Sequence, residues 1–333
     1  MFSEVAGEGT RAGRPEALWR CAAGPVYFAI ADSMRCGCFR IIVERPEGGP
    51  VRTPRSRLPK NFSLEDRLAG CAAAVERAPE ARRGRWHTWA PAEAAAPRTP
   101  YERVVLDLGC GKGEYTVACA RLRPDTLFIG LDVEGVCVMR GAELALAEGV
   151  PNAVFVWADD PDLTTLFAPG ELDGILMNFP TPYHKKKKAH LRLTYLDRLM
   201  SYRTILAPGA TVRLRTDSLP FRDFSLTQLE LAGYELKWNS DDVRALFPDE
   251  PTSAYEAKLT AQGAVVCGFE AVPGPAPEHV EQTALLSLVS YLPEDIENLT
   301  YVPYGMQGYV ANTIGCQANR RAKGLPAWKP PIV

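Results

Sequence analysis

Leu106-Asp107-Leu108-Gly109-Cys110-Gly111-Lys112-Gly113-Glu114 closes an apolar strand and opens a helix. Its glycines let backbone approach a ligand closely. The G-x-G-x-G spacing differs from the dinucleotide G-x-G-x-x-G, and a glycine turn alone decides little. The alternation around it decides more. Apolar strands are expected at residues 104–108, 126–131, 153–157, 172–177, 211–215, 234–238 and 265–270. Helical patterns occupy residues 114–122, 136–148, 195–206 and 225–232. Strands interleaved with helices predict an α/β fold, a doubly wound and mostly parallel seven-stranded sheet.

Three acids fall at the ends of the first three strands. Asp107 stands before the glycine turn, where a carboxylate can accept from an amine. Asp132 ends Gly130-Leu131-Asp132, where an acid can chelate ribose hydroxyls. Asp159 follows Trp157-Ala158, within reach of an adenine amine. Together with Gly109 and Gly111 they suit S-adenosylmethionine better than NAD. The sulfonium ligand carries an amine and a ribose but no pyrophosphate, so no long phosphate cradle is required. The alternative is a Rossmann-like sheet with a tight turn and unused acids.

A second informative stretch is Asn178-Phe179-Pro180-Thr181-Pro182-Tyr183-His184-Lys185-Lys186-Lys187-Lys188. An apolar strand runs into an amide side chain, a proline-stiffened turn and four lysines. Such a turn can hold a planar group beside a reactive centre while the lysines grip phosphate. For lysines alone, a solvated charge run is the plainer reading. The glycine turn upstream favours the functional one. His184 and His190 are read as phosphate neighbours or solvated residues, and Arg192 is placed with them at the pocket mouth.

Length and composition set the frame. A chain of 333 residues can bury a full core. The formal net charge of −2 gives no global attraction to polyanions, so any nucleic-acid contact must come from a local basic patch. Nine cysteines are scattered without a zinc set or a disulfide framework, which fits a reducing cytosol and no metal. No signal-peptide pattern opens the chain, and no apolar run is long enough to span a bilayer.

Residues 27–30 and 39–43 are strand candidates in an otherwise unreadable start. Residues 50–90 are arginine-rich, and Ser63 with Asp66 marks a helix start. Residues 90–100 read as a linker, and 271–280 are proline-rich. The remaining tail reads as an appendage with a helix candidate at 283–291 and a basic end at Arg320, Arg321 and Lys323.

The sequence resembles the bacterial-type tRNA (guanine-N7)-methyltransferases over about residues 50–270. Four ordered matches carry the resemblance: the glycine turn, Asn178–Lys185, Arg215-Thr216-Asp217, and Ser253-Ala254-Tyr255-Glu256-Ala257-Lys258. Arg55-Ser56-Arg57-Leu58-Pro59-Lys60-Asn61 is similar, more loosely, to the family's basic arm. The resemblance implies a Rossmann-like class I methyltransferase domain at 96–272, an N-terminal extension at 1–49, a basic arm with helix and linker at 50–95, and a C-terminal extension at 273–333. It implies S-adenosylmethionine contacts from Asp107, Gly109, Gly111, Asp132 and Asp159. It implies tRNA or guanine contacts from Lys185, Asp217, Ser253, Tyr255 and Glu256, with Glu256 facing the guanine N1 and N2 donors. Asn178 and Thr181 fall on the family's catalytic loop. A cytoplasmic monomer bound to no membrane and no metal is expected, forming N7-methylguanosine in tRNA.

One departure matters. Thr181 stands where the family usually has aspartate. Ser253 for threonine and Tyr183 for tryptophan are milder changes. Guanine N7 carries an in-plane lone pair and no proton, so its methylation needs alignment and dryness, not a general base. A nearby acid would offset the cationic product ring. Three functions therefore stand at this point: N7 methylation of tRNA guanine, same-fold methylation of another base, and a catalytically weakened tRNA-binding relative.

Overall fold

The computed structural model describes residues 62–91, 99–158 and 162–326, and the backbone of four short strands before them. The chain forms two compact units, Met1–Phe62 and Ser63–Val333. In the first, strands Ser3–Glu4, Trp19–Arg20, Tyr27–Ala29 and Ile42–Val43 pair antiparallel in chain order. Two of them fall in the stretches expected as strands. The basic arm around Arg55 lies outside the described residues.

The second unit is built on one seven-stranded sheet. Its strands are β1 (Arg103–Leu108), β2 (Thr126–Asp132), β3 (Ala153–Trp157), β4 (Leu172–Asn178), β5 (Leu206–Thr216), β6 (Tyr234–Ser240) and β7 (Cys267–Pro273). The spatial order is β6-β7-β5-β4-β1-β2-β3. Strands β1 to β5 run parallel, and β7 pairs antiparallel with both β5 and β6. Central strands read as mostly apolar runs because both faces are covered. Val104 to Leu108 are all buried, as are Leu127 to Leu131.

Chain order reverses between β1 and β4, which are hydrogen-bonded neighbours. Such a switch point opens a crevice at the carboxyl ends of parallel strands. Register shows which side chains reach it. Asp107 pairs with Gly130 on β2 and Leu176 on β4. Asp132 and Asn178 each lie two residues beyond those partners, at the same edge. On β5, Arg215 pairs with Asn178, which puts Asp217 just past that edge as well.

Helices α2 (Glu114–Leu122) and α3 (Gly135–Ala147) follow β1 and β2. The short α4 (Leu163–Leu166) follows β3, α5 (Leu196–Ile205) and α6 (Leu219–Leu231) flank β5, and the short α7 (Val243–Leu246) follows β6. α6 begins six residues before its expected start, because Pro220 sits in its first turn, where a missing N–H costs nothing. α8 (Ala254–Thr260) precedes β7 and had no counterpart in the sequence reading.

Two segments read as appendages are packed parts of this unit. Ser63 caps α1 (Leu64–Ala69), its Oγ accepting from the Asp66 amide at 3.2 Å, as expected. From α1 onward these arginines are engaged with protein groups. Arg82 pairs with Glu76, Arg67 with Glu143, and Arg83 donates to the Thr164 carbonyl. Trp86 and Trp89 are buried in the main core. At the other end Leu288, Leu292, Ile296, Met306 and Val310 join that same core. The helix expected at 283–291 shrinks to one 3-10 turn, Leu288–Tyr291. The tail's long helix is instead α9 (Gln307–Ala322), whose sequence lacks acids and strong capping signals.

Candidate active site

The turn from β1 into α2 divides its glycines by task. Gly113 has φ +75°, and a Cβ there would lie 2.6 Å from the Phe155 ring and from Gly141, so it serves close packing. Gly109 and Gly111 also have positive φ, at +79° and +56°. A Cβ on Gly111 would meet nothing within 4 Å, and one on Gly109 only Leu193 at 3.9 Å. Bare backbone therefore borders open space at these two positions, the condition for close ligand approach.

Asp107 is 1% exposed. It accepts from the Thr116 hydroxyl at 2.6 Å and from Asn178 Nδ2 at 3.3 Å. Burial pushes its carboxyl up to about 6, against the pull of those two donors, and Asp132 adds to the rise. Neither donor is a cation. A positively charged amine is the ligand chemistry that would restore the ionised form.

Asp132 is half-buried. One of its oxygens accepts from the Gly111 amide at 2.8 Å, the other from the Glu134 amide at 2.9 Å. An ionised carboxylate offers roughly four acceptor sites, so room remains for a diol. The acid thus fixes the glycine turn and keeps spare capacity toward the crevice. These features fit S-adenosylmethionine: open glycine backbone, a buried acid for the amine and a half-used acid for the ribose. Asp159 lies outside the described residues.

The loop after β4 stores strain. Phe179 and Tyr183 have φ of +50° and +40°, the two non-glycine residues with positive φ among those described. Each such residue costs roughly 1–3 kcal/mol and persists only where its surroundings hold it. The Phe179 amide donates to the Arg215 carbonyl at 2.7 Å. Arg192 holds the other end, donating to the carbonyls of Pro182 at 3.0 Å and Tyr183 at 2.8 Å. Arg192 is fully buried over the Phe224 ring. Its expected place among the phosphate-facing cations is therefore corrected: it clamps the loop from inside.

Thr181 is exposed on this clamped loop, and Lys185 to Lys188 are exposed beside it. Among the described residues none of the four lysines pairs with a carboxylate. Burial, and then Lys185, Arg192 and Lys188, lower the imidazole of His184 below its ordinary range. Its ring lies 4.9 Å from that of Tyr309.

The Ser253–Glu256 signature is a helix start. Ser253 Oγ accepts from the Glu256 amide at 3.2 Å and caps α8. Glu256 is 1% exposed, bonded by Arg215 at 2.8 and 2.9 Å and by Arg244 at 2.5 Å. The expectation that Glu256 faces guanine is corrected accordingly: its carboxylate is locked between two guanidinium groups. Only the serine half of a capping box is made here, because the Glu256 carboxylate is taken by the two arginines. Tyr255 of the signature points out, 48% exposed, with its ring edge-on to Phe179 at 5.6 Å.

Asp217 is half-buried, and burial raises its carboxyl while a bond from Tyr301 opposes the rise. With Phe179 and Tyr255 it forms a second cluster at the carboxyl edge. It is suited to a flat ring with N–H donors.

The sequence model of a family described as putative methyltransferase matches residues 101–268. A tRNA (guanine-N(7)-)-methyltransferase of Geobacillus thermodenitrificans is 32% identical over 212 residues, covering 63% of this chain and 94% of the relative. One from Christiangramia forsetii is 39% identical over 140 residues, covering 42% of this chain and 62% of the relative. One from Streptococcus sanguinis is 32% identical over 167 residues, covering 50% and 79%.

Proposed function

We propose, for a chain that belongs to the tRNA (guanine-N(7)-)-methyltransferase family, that it methylates N7 of a guanine in tRNA with S-adenosylmethionine as cofactor. The observation that carries this reading is the convergence of Asp107, Asp132, Asn178 and Asp217 on one sheet edge at the switch point.

When bound, S-adenosylmethionine supplies a methyl group on a positively charged sulfur. Asp107 would hold its amine, Asp132 its ribose, and Gly109 and Gly111 would let it lie against the backbone. Asn178 bonds Asp107 and borders the acceptor loop, so it ties donor side to acceptor side. Guanine N7 has no proton to lose, so no side chain has to act as base. The chain's task is alignment: Asp217 faces the N1 and N2 donors, Phe179 and Tyr255 flank the ring, and the clamped 178–183 loop resists movement. Base stacking on aromatics is a common way to hold an unpaired RNA base. The lysine run would track phosphate beside this slot.

The reaction tests itself at one atom. Methyl acceptance should vanish in tRNA transcripts whose guanosines are replaced by 7-deazaguanosine. Undiminished labelling of that RNA would exclude N7 as the acceptor.

Two further outcomes follow from the same site. Replacing Lys185 to Lys188 with glutamine should flatten the dependence of log binding constant on log salt by roughly 3, since each phosphate contact contributes about 0.7–0.9. Filter binding between low and moderate salt measures it, and an unchanged slope would remove the lysines from the RNA path. Thr181→Asp should raise single-turnover methylation about two- to fivefold, the effect of about 0.5–1 kcal/mol from a solvent-screened charge near the cationic product. No gain would mean that the missing charge is supplied elsewhere.

A further inference from the structure

Residues 274–326 follow β7 and lie beyond the family match at 101–268, yet they reach the acceptor side of the crevice. Tyr301 donates its hydroxyl to Asp217 Oδ2 at 2.5 Å. That is the short, charge-assisted end of the hydroxyl–carboxylate range. The phenol of Tyr255 is raised by burial and by the nearness of Asp217 and Tyr304, so the three groups share one neighbourhood. Tyr304 is 55% exposed there.

The mount is rigid. Leu286 offers its carbonyl to Arg192 at 2.9 Å, and the Leu288 amide donates to the His184 carbonyl at 3.2 Å. The segment therefore grips the strained acceptor loop from one side. Met306 and Val310 anchor it in the core from the other.

We propose that Tyr301 is a positioning residue for the acceptor base, fixing the Asp217 carboxylate so that a segment beyond the matched domain completes the substrate site. The chemistry is specific. An aspartate that receives two parallel N–H bonds from guanine must present its carboxylate plane to the base edge. A free aspartate rotates about its last torsion, which is broad. One hydroxyl bond to Oδ2 fixes that plane and leaves acceptor sites on both oxygens for the base. The bond is stronger to the ionised carboxylate, so it opposes the protonation that burial favours. The inference rests on the reading of Asp217 as the guanine contact.

The test is a double-mutant cycle on the full chain: Tyr301→Phe, Asp217→Asn and the pair, assayed with tRNA from pH 5.5 to 8.5. Tyr301→Phe keeps the ring and removes only the bond. Its kcat/KM for tRNA should fall about tenfold, as for loss of a hydrogen bond to a charged group. The acid limb of the pH profile should move to higher pH, and the KM for S-adenosylmethionine should hold. In the Asp217→Asn background the tyrosine change should add no further loss. A wild-type rate in Tyr301→Phe overturns the proposal. So does a loss that is equal at all pH values, or one that persists undiminished in the Asp217→Asn background. If Asp217→Asn alone is as active as wild type, the guanine-contact reading itself fails, which distinguishes the two failures.

Discussion

Asp107→Asn should weaken S-adenosylmethionine binding at least ~100-fold at pH 8, as expected when one partner of a buried charge pair is lost. The wild-type carboxylate is buried against two neutral donors, so the cofactor's amine is the cation it lacks. The variant should fold at least as well as the wild type, because it has no charge to desolvate. Titration calorimetry and melting curves on the same samples separate the two effects. A variant that binds normally would remove the acid from the donor site.

The same group sets a pH dependence. The folded carboxyl titrates near 6, above its ordinary 3.8. A carboxyl raised by folding favours the folded state when protonated. That advantage is complete at low pH and is lost as pH rises through about 6. Cofactor binding runs the opposite way, because the amine needs the ionised form. Affinity should be flat above about pH 7 and fall about tenfold per unit below about 6. Calorimetry across pH 5–8 reads this directly, and flat affinity down to pH 5 would contradict it.

Glu256→Ala should lower the melting temperature by roughly 6–20 °C, from about 3–5 kcal/mol for a broken buried pair at about 2–4 °C per kcal/mol. Arg215 is itself 1% exposed, and its Nη1 lies 3.7 Å from Glu250. Without Glu256 its charge would stay buried with only that distant partner. Arg244 would lose its carboxylate too. Scanning calorimetry of the free protein checks the drop. A base-contacting role predicts the reverse pattern, an unchanged melting temperature and a raised KM for tRNA.

The sheet was legible because buried strands advertise themselves. The runs 127–131 and 153–156 are apolar and buried throughout, and 104–108 is broken only by Asp107. The glycine turn and the acids at 107 and 132 were legible because their positions follow from strand ends. What failed to read was anything decided by distant contacts. The glutamate at 256 looks like any exposed acid until two arginines, one on β5 and one at residue 244, close on it. Arg192 sits next to a lysine run and shares its charge, but the Phe224 ring and three carbonyls draw it inward. The C-terminal helix has no acids and no side-chain cap to announce it, and its place is set by core contacts at Met306 and Val310. No local pattern ties Tyr301 to Asp217, since 84 residues separate them.

The central claim is that the cofactor acids and the acceptor cluster at the sheet edge transfer methyl to a single ring atom. The direct measurement is nucleoside mass spectrometry of tRNA incubated with the full chain and S-adenosylmethionine. The account predicts N7-methylguanosine. Methylation of an exocyclic amine, or no methylated nucleoside while calorimetry shows the cofactor bound, would contradict it.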